Sequence, residues 1–528
     1  MNNTNRRYRR IARRSLVALL GLVVLSACGG SGDSSSPTPV APPPPPVVQR
    51  GDIVNGPPLK VGTYAPADLL VLLGGNDAGK TLLQLAYTPM CTITVYHLGY
   101  ETVDPAGKLT PASGALMVPS GTDARCTGGR PVVLYAHGTT TYSDFDISQF
   151  AATGNGEGEL LAAVFAAEGY IVVAPNEVGY ADSTLGYHPY LIADQQSKDM
   201  IDALTAARSA LPTVDVPASV DGGKLFITGY SEGGYVAMAT HSAMQAAGMT
   251  VTASGPMSGP YAMSAFGDSL FEGQVNNSGA KSLALVIVAY QKAYGDLYAT
   301  PADAFNAKYA PTIEGLLPGV IAVSQLQLEG KFPLAAFDIV PPIPAYAIYT
   351  PAVLPANLAG IFAAGFGADY LVSNIFRGAY LDDATAVPDG GFPTITDGLP
   401  PASPHNMFRV HLKANDLRNW SPAAPTLLCG GNSDAEVFFF NTTLMQNYWL
   451  SHPPAVAPVI LDIDSPVTTG DPYGSLKTGF VVAEGLVRAA AVLGGATDGG
   501  DALVLEDYHA GLVPPFCLSA VKAFFDAH

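Results

Sequence analysis

Two apolar patterns alternate through the middle of the chain: short unbroken runs bounded by turn residues, and longer stretches whose apolar positions recur at helical spacing. Pro131 to Tyr135 and Tyr170 to Pro175 are unbroken runs, the pattern of strands buried on both faces of a parallel sheet. A helical stretch lies between them, around Leu160 to Glu168. Asp194 to Leu211 sets Met200, Leu204, Ala207 and Leu211 on one face of an amphipathic helix. Leu225 to Thr228 then reads as a strand, the small-residue run from Gly233 as a helix, and Val251 to Met257 as another strand. Upstream, the runs Thr92 to Tyr100 and Ala115 to Pro119 flank the turn-rich Asp104 to Lys108, which predicts an antiparallel hairpin at the sheet edge.

Strands alternating with helices predict an α/β fold with a mostly parallel central sheet flanked by helices. The alternation stops from about Ser264 to Pro404, where helical segments such as Leu283 to Tyr294, and Thr300-Pro301 leading into Ala304 to Tyr309, mix with many prolines. Residues 264–404 therefore read as an inserted, mainly helical cap on a core made of residues 51–263 and 405–528. The alternation resumes at Pro425 to Gly431, a strand ending in a glycine turn. A helix from about Val437 to Leu450, a last strand at Pro458 to Ile463 and a final helix at Leu518 to Phe525 follow.

The amino terminus belongs to neither pattern. Arginines between Arg6 and Arg14 precede the apolar run Leu16 to Leu25, which is too short to span a bilayer and reads as the core of a signal peptide. Leu25-Ser26-Ala27-Cys28 resembles a bacterial lipobox, with cleavage before Cys28 and lipidation of its thiol, so residues 1–28 form the expected signal. The other reading is an ordinary cleaved signal with an incidental cysteine. Arg13-Arg14 is loosely like a twin-arginine signal, which leaves the export route open. Residues 29–50 are rich in Gly, Ser and Pro and read as an extended tether that lifts the body off a membrane surface. The expected location is a bacterial membrane, through a lipid anchor, or the periplasm or exterior.

Export changes the reading of the cysteines. With Cys28 assigned to lipid, Cys91, Cys126, Cys429 and Cys517 remain in a disulfide-permissive compartment, with three pairings open. Cys91 with Cys126 is favoured because the two bracket one hairpin-like segment, and that leaves Cys429 with Cys517. No two cysteines have metal-ligand spacing, and neither a metal nor a cofactor is expected. The net charge of −18 argues against a nucleic-acid partner, which needs a basic face.

The candidate chemistry sits in Lys224 to Tyr235, KLFITGYSEGGY, where a strand, a sharp turn and a helix meet. The pattern G-x-S-x-G holds its serine in a strained turn, and the flanking glycines let strand and helix pass close together. Ser231 is thus the candidate nucleophile. A serine needs a base, a group that orients the base, and donors for an oxyanion. In this kind of sheet the acid and the histidine follow the serine in the chain. His509, in Glu506 to Gly511 just before the last helix, is the expected base, with His405 and His452 read as solvated loop residues. Asp434, in the turn after the strand Pro425 to Cys429, is the expected acid. Asp462 and Asp464 are the fallback, and Glu436 lies close enough to compete. The backbone N–H groups of Glu232 and of Thr139, in His137-Gly138-Thr139, are the expected oxyanion donors. A Cys429–Cys517 bridge would hold the acid and base loops together.

YAHGTT, GYSEGG, NDLRNWSPAAPTLLCGGNSDAEV and YHAG together resemble the α/β-hydrolases of the secretory-lipase type, from about Leu134 to the C-terminus. That resemblance implies the α/β-hydrolase fold with an inserted cap, carboxylic-ester hydrolase or lipase activity, and a triad of Ser231, Asp434 and His509. The long segment Ser465 to Ala502, between the last strand and His509, departs from it. The expected substrate is an apolar acyl or aryl ester. A serine peptidase of the same fold and a non-catalytic surface binding protein are the other readings.

Overall fold

The computed structural model describes residues 47–85, 88–153, 155–215 and 219–528. The expected signal, the lipobox with Cys28 and the tether as far as residue 46 lie outside the described residues. Eleven strands are formed among the described residues: β1 (Leu59–Tyr64), β2 (Thr92–Val103), β3 (Leu109–Ser120), β4 (Gly128–Ala136), β5 (Ile171–Pro175), β6 (Ser219–Tyr230), β7 (Ala253–Met257), β8 (Phe337–Asp338), β9 (Phe366–Gly367), β10 (Leu427–Gly430) and β11 (Val459–Asp462). Nine of them make one sheet in the order β1-β2-β3-β5-β4-β6-β7-β10-β11. The β1–β2, β2–β3 and β3–β5 pairs are antiparallel, and every pair from β5 to β11 is parallel. The expected hairpin is β2 and β3, longer than the apolar runs suggest because Thr102 and Thr110 continue the ladder, and it is not at the sheet edge as expected, because β1 pairs outside β2.

Alternation along each strand divides the core. On β4, Leu134 and Ala136 face one layer with Ile227 of β6, while Val133 and Tyr135 face the other with Phe226. The first layer is covered by the helices Ala193–Ala210 and Glu232–Ala246 through Met200, Leu204, Val236 and Met238. The second is covered by the helices Gly156–Val164 and Val513–Asp526 through Leu161, Val164, Val521 and Phe525. Phe226 stacks on Phe525 with ring centroids 4.6 Å apart, and burying each such side chain contributes about 1.5 to 3 kcal/mol. Because a parallel sheet is covered on both faces, its open ground is at the strand ends. The register puts Ala136 beside Gly229, Tyr230 beside Met257, and Met257 beside Cys429, so the carboxyl ends of β4, β6, β7 and β10 lie together.

Between β7 and β10 the regular structure is mainly helical, with Met263–Phe271, Gly279–Tyr294 and Asn374–Ala386 the longest helices before residue 404. Proline-rich irregular backbone and the small β8–β9 pair separate them. The helix expected over Ala304 to Tyr309 is confined to Pro301–Ala304; Phe305 is extended and bridges to Val372, and residues 307–312 run as turns. Downstream, the segment Ser465 to Ala502 contains the helix Gly474–Leu493. Its Phe480 packs edge-on against Phe516 and Tyr508, which carries the chain back to the sheet just before His509. Cys91 is bonded to Cys126, and Cys429 to Cys517.

Candidate active site

Ser231 follows the last residue of β6 and precedes the helix Glu232–Ala246, with φ 61 and ψ −123. A non-glycine residue rarely holds that backbone, and a surrounding that fixes it is required. Here the turn is clamped: the Ser231 N–H donates to the Met257 carbonyl at 3.0 Å. A Cβ on Gly229 would lie 2.2 Å from the Gly233 carbonyl oxygen, and one on Gly233 would lie 2.0 Å from the Ala136 oxygen. Only glycine fits at either position, which is the physical content of the G-x-S-x-G spacing.

Side chains from distant segments meet at this turn. His509 Nε2 lies 2.8 Å from Ser231 Oγ, and His509 Nδ1 lies 2.7 Å from Asp434 Oδ2. Asp434 is 1% exposed, and its other oxygen accepts the N–H groups of Glu436 at 2.8 Å and Val437 at 3.0 Å. His509 is not in a loop: it sits in a π-helical turn, Tyr508–Leu512, between the helices Asp501–Asp507 and Val513–Asp526. Such widened turns recur at functional sites. The Tyr230 hydroxyl donates to the His509 carbonyl at 2.5 Å and ties that turn to the serine strand. Burial, the strongest single influence, works to lower the His509 pKa, but the charge and hydrogen bond of Asp434 outweigh it and the net shift is upward.

The competing carboxylates have other partners. Asp462 accepts from the Asn432 side chain at 2.9 Å, and Asp464 accepts from the Tyr508 hydroxyl at 2.7 Å. Glu436 accepts from the Ser278 hydroxyl and borders Ser231. His405 is exposed, and His452 stacks on Tyr448. His241, on the helix after Ser231, hydrogen-bonds Ser254 at 2.8 Å, and burial pushes its pKa down to about 4.

Thr139 and Ser231 line the same two cavities, and a Cβ built on Gly138 would lie 3.7 Å from Ser231 Cβ. The loop carrying Thr139 is held by Glu157, which accepts the Gly138 N–H at 2.9 Å and the Tyr135 hydroxyl at 2.7 Å. Glu157 was not legible as a site residue, since nothing in its spacing marks it. One cavity is an open cleft of about 770 Å³ bordered by Tyr135, Tyr230, Lys281, Gln327, Leu334 and Leu505. The other is narrow, about 50 Å³, and is walled by Met263, Phe266, Leu270, Leu283, Phe408 and Leu412. They meet at Thr139, Ser231 and Glu436.

No protein-family profile matches the chain, and no curated protein matches it. Solved structures do. The chain is similar to the rice cell wall degrading esterase LipA from Xanthomonas oryzae, with a TM-score of 0.63 and 22% identity over 90% of this chain and 98% of that one. It is also similar to a protein described as a candidate hydrolase from Legionella pneumophila, with a TM-score of 0.60 and 18% identity over 89% of this chain and 97% of that one. The nine-stranded, mostly parallel sheet, its flanking helices and these likenesses together give the chain the α/β-hydrolase fold.

Proposed function

We propose that the chain is a serine carboxylic-ester hydrolase that works through an acyl-enzyme, with residues 264–404 as its cap. The observation that carries this reading is the continuous relay from Asp434 through His509 to Ser231, with contacts of 2.7 and 2.8 Å. Ser231 Oγ attacks the ester carbonyl carbon while its proton passes to His509 Nε2. Asp434 accepts a hydrogen bond from Nδ1–H and so holds the tautomer whose Nε2 is free to take the serine proton. The N–H groups of Glu232 and Thr139 receive the oxyanion. Collapse of the tetrahedral intermediate expels the alcohol, which takes the proton from His509, and water then releases the acid by the same steps in turn.

The narrow apolar cavity suits an apolar acyl or aryl group, and the neighbouring fold is that of a protein named as an esterase. Two disulfides support export, since such bonds persist in oxidising compartments. Lipidation of Cys28 and a membrane-held body complete the reading; no helix among the described residues is long and apolar enough to cross a membrane. The test is labelling by a fluorophosphonate together with turnover of p-nitrophenyl esters. Both are expected in the wild type and both are lost in Ser231→Ala. A wild type that neither labels nor turns over would overturn the reading. Faster cleavage of aminoacyl amides than of esters would favour a peptidase.

A further inference from the structure

Residues 176–192 connect β5 to the helix Ala193–Ala210 and touch both residues assigned to the oxyanion. His188 Nε2 lies 2.8 Å from Glu232 Oε1, and the Tyr190 hydroxyl lies 3.0 Å from Thr139 Oγ1. His188 and Glu232 are each 2% exposed, and Tyr190 is 6% exposed. The protonation of His188 follows from its partners. Its Nδ1 lies 2.8 Å from the Val178 carbonyl, which can only accept, and its Nε2 faces a carboxylate. Both ring nitrogens therefore donate, and His188 is an imidazolium paired with Glu232.

A second carboxyl group is drawn into the cluster. Gln196 Nε2 donates to Glu232 Oε1 at 2.8 Å and to Glu177 Oε2 at 3.0 Å. Glu177 is 1% exposed, and burial, the largest influence on it, pushes its pKa up. The segment 176–192 is also clamped at both ends. Glu177 has φ 64 and Leu191 has φ 55, left-handed backbone that such residues hold only when their surroundings fix it. The Leu191 carbonyl accepts the hydroxyls of Tyr235 at 3.3 Å and Tyr290 at 3.0 Å. A buried, ion-paired and backbone-strained segment is more than packing requires.

We propose that His188 and Tyr190 are positioning residues for the oxyanion hole, His188 holding Glu232 and Tyr190 holding Thr139 so that the two backbone amides converge on one point. The proposal rests on the serine-hydrolase reading above. An oxyanion donor contributes about a hundredfold to a thousandfold only when it is aimed at the place where charge develops. Releasing either brace lets its peptide plane rotate. That weakens the transition state more than the bound ester, so the loss falls on kcat and not on KM. Tyr190→Phe removes only the hydroxyl and keeps the apolar wall that the ring gives to the narrow cavity.

The charge on His188 adds a pH signature. Burial works to lower its pKa, but the charge and hydrogen bond of Glu232, with the charge of Glu177, hold it up at about 9. Other ionisable groups around the cluster are His137 after β4, Tyr180 and Tyr190 on the same segment, Glu157, which feels the charge of Glu232, and Asp199 on the helix Ala193–Ala210, which burial and then the charge of Glu177 push up to about 7. Both tyrosines are held well above their ordinary value, chiefly by burial, and stay neutral while His188 titrates.

The test measures kcat and KM on a short-acyl p-nitrophenyl ester with the full-length protein, from about pH 6 to about pH 10. Affinity for a trifluoromethyl ketone analogue, which forms an oxyanion on Ser231, is measured alongside, with thermal melting as the control for folding. Tyr190→Phe and Glu232→Gln are each expected to lower kcat about tenfold or more, with KM within about threefold and with inhibitor affinity falling in step with kcat. Wild-type kcat is expected to fall on the alkaline side near pH 9, and Glu232→Gln to move that limb to lower pH. Folded variants with kcat within about twofold of wild type, or with losses confined to KM, would overturn the proposal. If Glu232→Gln does not fold, Tyr190→Phe and the wild-type pH limb decide. A wild type with no ester turnover would instead overturn the hydrolase reading, so the two failures are distinct.

Discussion

Cys429, in the strand that leads to Asp434, is bonded to Cys517 in the helix that follows His509, 88 positions apart in the chain and with Cα atoms 5.6 Å apart. The bridge therefore ties the segments that carry Asp434 and His509 to each other directly. Cys91 and Cys126 close a shorter loop, separated by 35 residues, far in the chain from either segment.

This difference separates two effects of removing a disulfide. Cys429→Ser with Cys517→Ser should lower stability by about 2 to 5 kcal/mol and also reduce kcat, because the Asp434–His509 geometry loses its tie. Cys91→Ser with Cys126→Ser should lower stability by a somewhat smaller amount, the closed loop being shorter, and leave kcat near wild type. Urea unfolding and ester turnover on the same preparations make the comparison.

The second prediction concerns pH. The His509 pKa lies above its ordinary value of about 6.5, since Asp434 outweighs the opposing effect of burial. Catalysis needs the neutral ring, so kcat/KM should fall on the acid side with a midpoint above about 6.5. Stability runs the other way. A raised histidine contributes stability that is fully present below its unfolded pKa and is lost as pH rises through its folded pKa. The difference in unfolding free energy between wild type and His509→Gln should therefore shrink as pH rises, while the activity of the wild type grows. An acid limb below about pH 6 would contradict the upward shift.

The third prediction tests the turn itself. Gly233→Ala would set a Cβ 2.0 Å from the Ala136 oxygen, against backbone that cannot swing aside as a side chain would. Forcing that contact should cost about 1 to 3 kcal/mol or more and displace Ser231 from His509. The expected result is a lower midpoint in urea and loss of fluorophosphonate labelling, measured on the soluble fraction.

What was legible in the sequence follows from how local its causes are. The elbow strand and helix, the strand ending at Gly430 and the position of Asp434 rest on short-range patterns, and the chain order of serine, acid and histidine then leaves few choices. His509 was legible, but its setting was not: Glu506 to Gly511 reads as a loop, whereas the structure widens a helix there into a π turn. β1 and the helices Pro66–Leu73 and Asp77–Gln84 were missed because they are short and pack by tertiary contact. The braces at His188, Tyr190 and Glu157 had no sequence signature at all. Each acts on a residue brought near only by the fold, as His188 does on Glu232.

The same limit applies to Arg409, whose partners come from two other helices of the region before β10. It is 1% exposed, grips Asp268 through Nε at 3.0 Å and Nη2 at 2.8 Å, and holds Asp383 through Nη1 at 2.7 Å. These bonds join the helices Met263–Phe271, Asn374–Ala386 and Met407–Ala414. The last of these also carries Phe408 and Leu412, two walls of the narrow cavity beside Ser231. Removing one partner of a buried ion pair leaves uncompensated charge, so Arg409→Ala should cost about 3 to 5 kcal/mol. Arg409→Lys keeps the charge but cannot reproduce the planar two-pronged contact with Asp268, and should recover only part of that loss. Because the helix that moves also lines the cavity, KM for an apolar ester should rise in both variants, more in Arg409→Ala. Urea unfolding with steady-state kinetics measures both effects, and an Arg409→Ala protein of wild-type stability would show that the three helices are held together by their apolar contacts alone.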